Sequence, residues 1–476
     1  MGLRFERARA ALRLEVRYRQ TGCGAKLIWA FEWTWVENIT MNIPVPKELK
    51  PHLSWLDAVN VVVGIVIGAG IFVTPQELAR LLPSTQAMML AWLVSGALVF
   101  CGALAFAELS AMMPANGGLY IYLREAFGPA LAFSSGWVHL FALLSGATAF
   151  VAMGFSRYLN VLVPVSADWQ NPISIGLILS VGMLGGLSTR AAVLVQNISN
   201  FAKIAALLAL IVLAFFAPAV PSATPVGDIS ILSFGVALAY CFFCYEGWSY
   251  AGFVAGEMRN PKRDLPKALA ISFVLIVALY LMVNLAYVRV LTIGELQASG
   301  QVGADVAGRV LGGAGAKMLA LVILLAIVGC VNGLTLAASR MYYAQSRDGL
   351  FLPGLDWIHP KWGTPLPAVA AHVAASSLLV LFSSSLGFVL PLAIFAAWLY
   401  YAIAVVGLMR LRRTQPERER PYRMWGYPFT PLLFLLGTGG FLFSLLTQST
   451  KPALCVLAIM ALSFPVHAFI GRSKSA

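Results

Sequence analysis

Long apolar segments, separated by short polar connections, follow one another along most of the chain. About twelve of them reach roughly 20 residues, the length that an α-helix needs to cross the hydrocarbon core of a bilayer. Their approximate centres are, in chain order, Gly68, Val99, Leu143, Val181, Ala209, Cys241, Val277, Val328, Ala375, Ala396, Gly437 and Ala461. The pattern predicts an all-α polytopic membrane protein with about 12 transmembrane helices.

Three of these segments, the first, sixth and eighth, carry polar residues or glycine at mid-span. The first contains "GIVIGAGIFVTPQ", with glycine at 64, 68 and 70, and the sixth contains "CYEGWS". The glycines either pack closely against another helix or mark a broken helix, which a bilayer tolerates only where the open backbone lines a cavity. Two interrupted segments five apart favour broken helices and an inverted repeat.

The order of the segments predicts four regions. Residues 1–52 form a cytoplasmic tail, 53–218 the first repeat (helices 1–5), 229–413 the second repeat (helices 6–10) and 424–471 helices 11 and 12. The first forty residues are basic and weakly amphipathic, without the pattern of a cleavable signal. Because Met41 begins a natural lead-in to the first helix, we interpret residues 1–40 as a mis-assigned start or a dispensable tail.

Composition and charge agree with a membrane location. Of the 476 residues 59% are hydrophobic and 11% charged, and the net charge is +13, whereas soluble domains carry about 25% charged residues. Lysine and arginine concentrate in alternate connections, which predicts that both termini lie in the cytoplasm. We expect the membrane to be a prokaryotic plasma (inner) membrane. The charge therefore faces membrane lipid, and no nucleic acid partner is expected. The oligomeric state is open.

The residue types that carry catalysis or bind metals are scattered. The six cysteines lie in the tail or within segments, so no structural disulfide is expected, and the Cys-x-x-Cys pair of Cys241 and Cys244 has no second pair to complete a metal site. The five histidines form no local catalytic motif, and no phosphate-binding GxxxxGK[ST] loop occurs. We expect no enzyme activity, no cofactor and no metal.

The two predicted breaks would expose backbone groups inside the membrane. The N-terminus of a half-helix presents unpaired N–H groups, which suit a carboxylate, and the C-terminal end of another presents carbonyls, which suit an ammonium. Glycine at 68 and 70 lets a ligand approach the backbone closely. Together these groups match the two charged ends of an α-amino acid.

Five motifs in fixed order carry a family resemblance: "GIVIGAGIF", "AFAELSAMMPANGGLYIYLREAFGPALAF", "FFCYEGWSYAGFVAGEMRNPKRDLPKAL", "ASRMYYAQSRDGLFLP" and "RPYRMWGYP". From about residue 53 to 470 the chain resembles the amino acid–polyamine–organocation (APC) superfamily, most closely its L-amino acid transporter branch. The resemblance implies the LeuT-type 5+5 inverted repeat with broken helices 1 and 6 and two further helices.

The resemblance also implies a substrate site at the two breaks. The backbone around Gly68 would hold the substrate carboxylate, through the amides of Ala69, Gly70 and Ile71. The amino group would bind the carbonyls of Phe243, Cys244 and Glu246, and Phe243 would cover the substrate as a gate. The side-chain pocket would continue through Gly247, Trp248 and Ser249, with Ile65, Tyr250 and Asn332 as further pocket or gate residues.

Lys203 in the fifth segment has two interpretations. A lysine at mid-span costs about 2.5–3.5 kcal/mol on insertion scales, so it is paired or functional unless it snorkels to the interface. In the family a lysine at the matching place reaches the site where sodium sits in sodium-coupled relatives. Its charge there would replace that of the ion and make transport sodium-independent.

Two glutamates raise separate questions. Glu246 departs from the uncharged residue that many exchangers of this branch have. It either favours cationic substrates or couples a proton beside the substrate, or it faces away and bonds to a neighbouring helix. Glu108, near the end of the second segment, is expected to form a structural ion pair or cap.

We therefore expect a sodium-independent secondary transporter that favours neutral L-amino acids, by exchange or proton-linked alternating access. The alternatives are a proton-coupled symporter of cationic or broad-range amino acids or polyamines, and an amino-acid sensor that does not transport. Animal relatives bind a heavy subunit through a cysteine in the loop between helices 3 and 4. The corresponding loop here, "LNVLVPVSADWQNP", has none, so no disulfide-linked subunit is expected.

Overall fold

The computed structural model of the chain describes residues 54–68, 70–114, 117–220, 230–249, 258–299, 301–382 and 386–474. All of these residues belong to one compact unit, residues 45–476. The predicted tail, 1–52, lies outside the described residues.

The described elements are α-helices, numbered here α1 to α15. Their bounds are α1 Trp55–Val66, α2 Gly70–Leu81, α3 Thr85–Met112, α4 Leu119–Phe127, α5 Pro129–Leu159, α6 Ala167–Leu187, α7 Thr189–Phe216, α8 Ile231–Cys244, α9 Pro261–Val290, α10 Ile293–Ala298, α11 Val302–Arg347, α12 Leu366–Phe382, α13 Leu386–Thr414, α14 Phe429–Gln448 and α15 Thr450–Lys474.

Each of the twelve predicted apolar segments contains a helix. Within the described ranges nine helices are long and apolar enough to span a bilayer. The first, sixth and ninth segments hold the shorter apolar helices Trp55–Gly64, Ser233–Cys244 and Leu366–Phe382. The prediction of an all-α multi-pass membrane protein is confirmed, while the boundaries of the two repeats stay a prediction.

Short polar side chains mark where several helices begin. The side chain of Ser54 accepts a hydrogen bond from the main-chain N–H of Asp57, whose carboxylate in turn accepts from the N–H of Ser54, the reciprocal arrangement of a capping box. Ser84, Ser188 and Ser230 also accept bonds from first-turn N–H groups. These caps satisfy backbone donors that a helix leaves unpaired.

Two of the long helices depart from regular geometry. In α5 residues His139–Leu143 form a π-helical turn. In α11 Gly312 has φ 75° and ψ −174°, a left-handed conformation that glycine adopts without the steric cost of a Cβ atom. This kink divides the 46 residues of α11, which as one straight helix would be far longer than the bilayer is thick.

The predicted structural ion pair of Glu108 is present near the end of α3. Its carboxylate is fully buried and accepts hydrogen bonds from Nε of Arg412 in α13, at 2.9 Å, and from the main-chain N–H of Met424, at 2.7 Å. Nε of Arg420 lies 3.5 Å from the same carboxylate. Glu108 thus joins α3 to α13 and to the segment before α14.

Candidate functional site

The first predicted break is present between α1 and α2. Helix α1 ends at Val66, Ile67 has a non-helical ψ of 84°, and α2 begins at Gly70. The N–H of Gly68 bonds to the carbonyl of Val66, so it does not reach the carbonyl of Gly64 as it would in a continuous α-helix. The break therefore leaves carbonyls of α1 open to other partners.

Both explanations of the first-segment glycines hold, at different positions. A Cβ atom on Gly64 would lie 2.2 Å from Nε2 of Gln196 and 2.4 Å from Nδ2 of Asn200, so Gly64 permits close packing of α1 on α7. Gly68 lies within the break itself.

The second break follows α8. This helix ends at Cys244, and the described residues after it, 245–249, form turns instead of continuing as α-helix. Gly247 has φ 116°, which a residue with a side chain rarely adopts. The interruption predicted from "CYEGWS" is therefore present.

Tyr280 of α9 joins the two breaks. Its hydroxyl lies 2.9 Å from the carbonyl oxygen of Val66 and 3.0 Å from that of Cys244, and it donates its one hydrogen to either. Since these are the last residues of α1 and α8, one buried side chain bonds to the carbonyl ends of both interrupted helices. Nothing in the sequence distinguishes Tyr280 from other tyrosines of apolar segments.

A cavity of about 50 Å³ lies between the breaks. Five of its lining residues were predicted: Gly68, Gly70, Phe243, Cys244 and Glu246. The others were not, and most come from the long helices α5 and α11: Val66, Ala147, Phe150, Val151, Cys330 and Leu334. The cavity thus has the positive end of α2 and the carbonyl ends of α1 and α8 in its wall.

Close packing surrounds Gly70. A Cβ atom at this position would lie 3.0 Å from Sγ of Cys244 and 3.1 Å from the ring of Phe243. The Sγ of Cys244 donates to the hydroxyl of Thr74, at 3.0 Å, which also links α8 to α2. Ile71 is buried and does not line the cavity. Its predicted role in holding the substrate carboxylate would therefore rest on its backbone amide in the first turn of α2.

Phe243 lies between two cavities. Its ring packs edge-to-face on Phe150, with the ring centroids 5.1 Å apart, across the cavity at the breaks. It also lines a second cavity, of about 200 Å³, formed by α8, α13 and α14. The role of Phe243 as a gate stays a prediction.

Other predicted residues lie beside the cavity without lining it. The ring of Trp248 packs on Phe106 of α3, with centroids 4.8 Å apart, and the hydroxyl of Ser249 donates to that of Tyr401, at 2.7 Å. The side chain of Ile65, and the whole of Ala69 and Tyr250, lie outside the described residues.

Asn332 was predicted in the pocket, and the structure places its side chain elsewhere. Its amide nitrogen donates to the carbonyl of Ala192, at 2.9 Å, and to Oε1 of Gln196, at 3.1 Å. Asn332 therefore joins α11 to α7, and α11 contributes Cys330 and Leu334 to the cavity instead.

Lys203 is fully buried, which contradicts the snorkelling interpretation. Its ammonium donates to the carbonyl of Gly64, at 2.5 Å. This is the carbonyl that the break in the first segment leaves without its helical partner. The lysine thus places a positive charge against the opened end of α1.

The structure shows the bond to a neighbouring helix offered for Glu246 but no turn away from the cavity, and its roles in substrate charge and proton coupling stay predictions. Glu246 lines the cavity, and its carboxylate accepts a hydrogen bond from the hydroxyl of Tyr401 in α13. Because the same tyrosine accepts from Ser249, a short hydrogen-bonded chain leads from the segment after α8 to the carboxylate.

Comparisons with known proteins identify the family of the chain. A sequence model of the family described as amino acid permease matches residues 53–464. The chain is 33% identical over 405 residues to the cystine/glutamate transporter of Homo sapiens, covering 81% of this chain and 78% of that protein. It is 28% identical over 435 residues to the serine/threonine exchanger SteT of Bacillus subtilis (90% and 98%). It is 30% identical over 401 residues to the human b(0,+)-type amino acid transporter 1 (82% and 81%).

Proposed function

As a member of the amino acid permease family the chain transports amino acids across a membrane, and we propose that it is a sodium-independent exchanger of neutral L-amino acids. The observation that carries this proposal is the cavity at the two breaks, whose wall combines one helix N-terminus at Gly70 with the carbonyl ends at Val66 and Cys244. A zwitterion needs a positive and a negative partner a few ångströms apart. The gap between the half-helices supplies both from the backbone.

Cavity size favours small substrates. One water molecule needs roughly 10–15 Å³ of such space, so a cavity of about 50 Å³ holds only a few. Apart from Glu246 its side chains are apolar or thiols. Alanine, serine and threonine fit this volume better than aromatic amino acids.

Lys203 supports sodium independence. Its ammonium already donates a hydrogen bond to the carbonyl oxygen of Gly64. Such an oxygen is the kind of ligand that a sodium ion requires. A sodium ion at this carbonyl would face the ammonium at short range, and like charges repel strongly in a medium of low dielectric constant.

The experiment is counterflow into proteoliposomes that contain the purified chain and a preloaded unlabelled amino acid. We expect labelled serine or alanine to accumulate transiently in choline buffer, with no change when sodium is added and no need for a pH gradient. Uptake that needs sodium would contradict the proposal. Ligand-induced thermal stabilisation without flux would identify a sensor.

A matched pair of lysine variants tests the role of Lys203. We expect Lys203→Ala to lower the exchange rate at least tenfold, because the Gly64 carbonyl loses its partner, while Lys317→Ala, at an exposed position, leaves it unchanged. Equal rates in the two variants at every pH would remove Lys203 from the mechanism.

Proton-coupled symport of cationic amino acids is the second candidate, because Glu246 puts a carboxylate in the cavity wall. It requires labelled lysine uptake driven by an inward proton gradient and abolished in Glu246→Gln. The exchanger proposed here instead keeps serine counterflow in Glu246→Gln and takes up no lysine.

The proposal includes location and assembly. Both termini face the cytoplasm of a prokaryotic inner membrane, as the distribution of lysine and arginine indicates, and the chain works without a disulfide-linked heavy subunit. Of the cysteines in the described part of the chain, Cys101, Cys241, Cys244 and Cys330 are buried, and Cys455 in α15 is exposed. Activity of the purified single chain in the counterflow assay tests this point.

A further inference from the structure

A groove of about 440 Å³ lies between α1, α7 and α9, and its lining shares no residue with that of the cavity at the breaks. Its floor includes Val63 and Ile67, so the residue that precedes Gly68 of the cavity is also part of the groove. The flanks are open: Leu56 is 59%, Leu208 50% and Leu275 53% exposed. Because α7 and α9 are membrane-spanning helices, this opening faces the hydrocarbon of the bilayer.

The lining is suited to a hydrocarbon chain. Asn60 is its one polar residue among the described side chains, and its amide is already bonded to Asn197 and Asn200 of α7. The one polar side chain of the described lining is thus already engaged with α7. An elongated apolar chain that enters from the bilayer meets aliphatic side chains and Met282, with Asn60 as the exception.

One end of the groove carries a cation. Lys267 in the second turn of α9 is exposed, and its ammonium lies 4.1 Å from the ring centroid of Trp55, the residue next to Leu56 of the groove. Arg263, one turn earlier, is also exposed. Tryptophan together with basic residues is typical of the level at which a bilayer's headgroups lie.

From the apolar lining and the cation at its end, we propose that the groove binds one anionic phospholipid, with an acyl chain between α1, α7 and α9 and the phosphate beside Lys267. Acyl chains outside the groove are as apolar as its lining, so hydrophobic transfer contributes little. Selectivity comes from shape and from the charge of Lys267. One cation near the surface supplies a preference of about fivefold for an anionic headgroup.

The test is native mass spectrometry of delipidated protein titrated with an equimolar mixture of phosphatidylglycerol and phosphatidylcholine. Ala278→Trp fills the groove from α9, where Ala278 is exposed and part of the lining. Ala205→Trp is the matched control, since Ala205 is exposed on α7 outside the lining. We expect one saturable phosphatidylglycerol adduct on the wild type and on Ala205→Trp, and none on Ala278→Trp.

The headgroup is tested separately. Lys267→Gln should keep one lipid adduct but lower the ratio of phosphatidylglycerol to phosphatidylcholine adducts below that of the wild type. Equal adducts on Ala278→Trp and Ala205→Trp, adducts that never saturate, or a dimer peak lost only in Ala278→Trp would each overturn the proposal. Melting temperatures check that each variant folds. Ala278→Leu is a second variant that fills the groove with a smaller side chain and should weaken the adduct. The readout is binding, so it does not depend on whether the chain exchanges amino acids.

Discussion

Gly70 was predicted from the sequence to bind substrate, and the structure places it in close packing at the cavity. It begins α2 and is in close contact with Phe243 and Cys244 of α8, so a Cβ atom would find neighbours at 3.0–3.1 Å. An added Cβ atom at these distances requires the ring or the thiol to shift by a few tenths of an ångström. A side chain here would push into the space proposed for the substrate carboxylate.

The corresponding variant is Gly70→Val. We expect counterflow to fall at least tenfold, because valine crowds the cavity from the α2 side. The melting temperature should change little, since ring and thiol can shift by a few tenths of an ångström. Gly176→Val on α6, where no atom lies within 4 Å of an added Cβ, is the matched control. Normal counterflow in Gly70→Val would remove the carboxylate cradle from the proposal.

Tyr280 tests whether the two breaks act together. Tyr280→Phe removes the hydroxyl that bonds to Val66 and Cys244 and leaves buried carbonyls without this donor, at a cost of about 1–3 kcal/mol. We expect a lower melting temperature and a loss of exchange larger than in Tyr422→Phe, a half-buried tyrosine outside the cavity. Wild-type behaviour in both would show that the hydroxyl is dispensable.

At the scale of elements, the broken helices were predictable and their surroundings were not. Glycine or polar residues within an apolar run leave a local signal, so the breaks after Val66 and Cys244 follow from the sequence. Phe150, Cys330 and Leu334 come from helical stretches of α5 and α11, where apolar residues face lipid, core or cavity without any local difference in the sequence. The orientation of Asn332 depends in the same way on the packing of α11 against α7.

The short helix α10 has a pH-dependent cap. The carboxylate of Glu295 accepts bonds from the main-chain N–H and hydroxyl of Thr292 and from Arg309, at 3.1 Å. The hydrogen bond from Arg309 is the main cause that lowers the pKa of Glu295 from its ordinary 4.5 to about 2. Because the folded pKa is depressed, these bonds stabilise the folded state above about pH 4.5 and are lost as the pH falls towards 2.

Hydrogen exchange of residues 292–299 measures this cap. We expect protection of these amides to decrease between about pH 4.5 and pH 2, after correction for the intrinsic exchange rate. In Glu295→Gln, which cannot ionise, protection should be lower throughout and show no such step. A step of equal size in the variant would assign the effect to another group.

At the scale of the whole molecule, polar contacts connect helices that are distant in the chain around the two breaks. Lys203 joins α7 to α1, Tyr280 joins α9 to α1 and α8, and Asn332 joins α11 to α7. Each contact involves a buried polar group that would be costly without its partner. The apolar pattern of the sequence predicts which segments are buried in the membrane, whereas these contacts specify which helices are neighbours.

The ion pair of Glu108 and Arg412 is a further buried polar contact between distant helices, at the ends of α3 and α13. Breaking a buried ion pair by removing one partner typically costs about 3–5 kcal/mol. In Arg412→Met the Glu108 carboxylate keeps the bond from Met424 and the guanidinium of Arg420 at 3.5 Å, which reduce this cost. We expect Arg412→Met to lower the melting temperature strongly, whereas Arg413→Met, the exposed neighbour, should not. Adding Glu108→Leu to Arg412→Met should restore part of the loss, because the buried carboxylate that lost Arg412 is then gone. If the double variant were less stable than Arg412→Met alone, the bonds from Met424 and Arg420, rather than the pair with Arg412, would account for the stabilising role of Glu108.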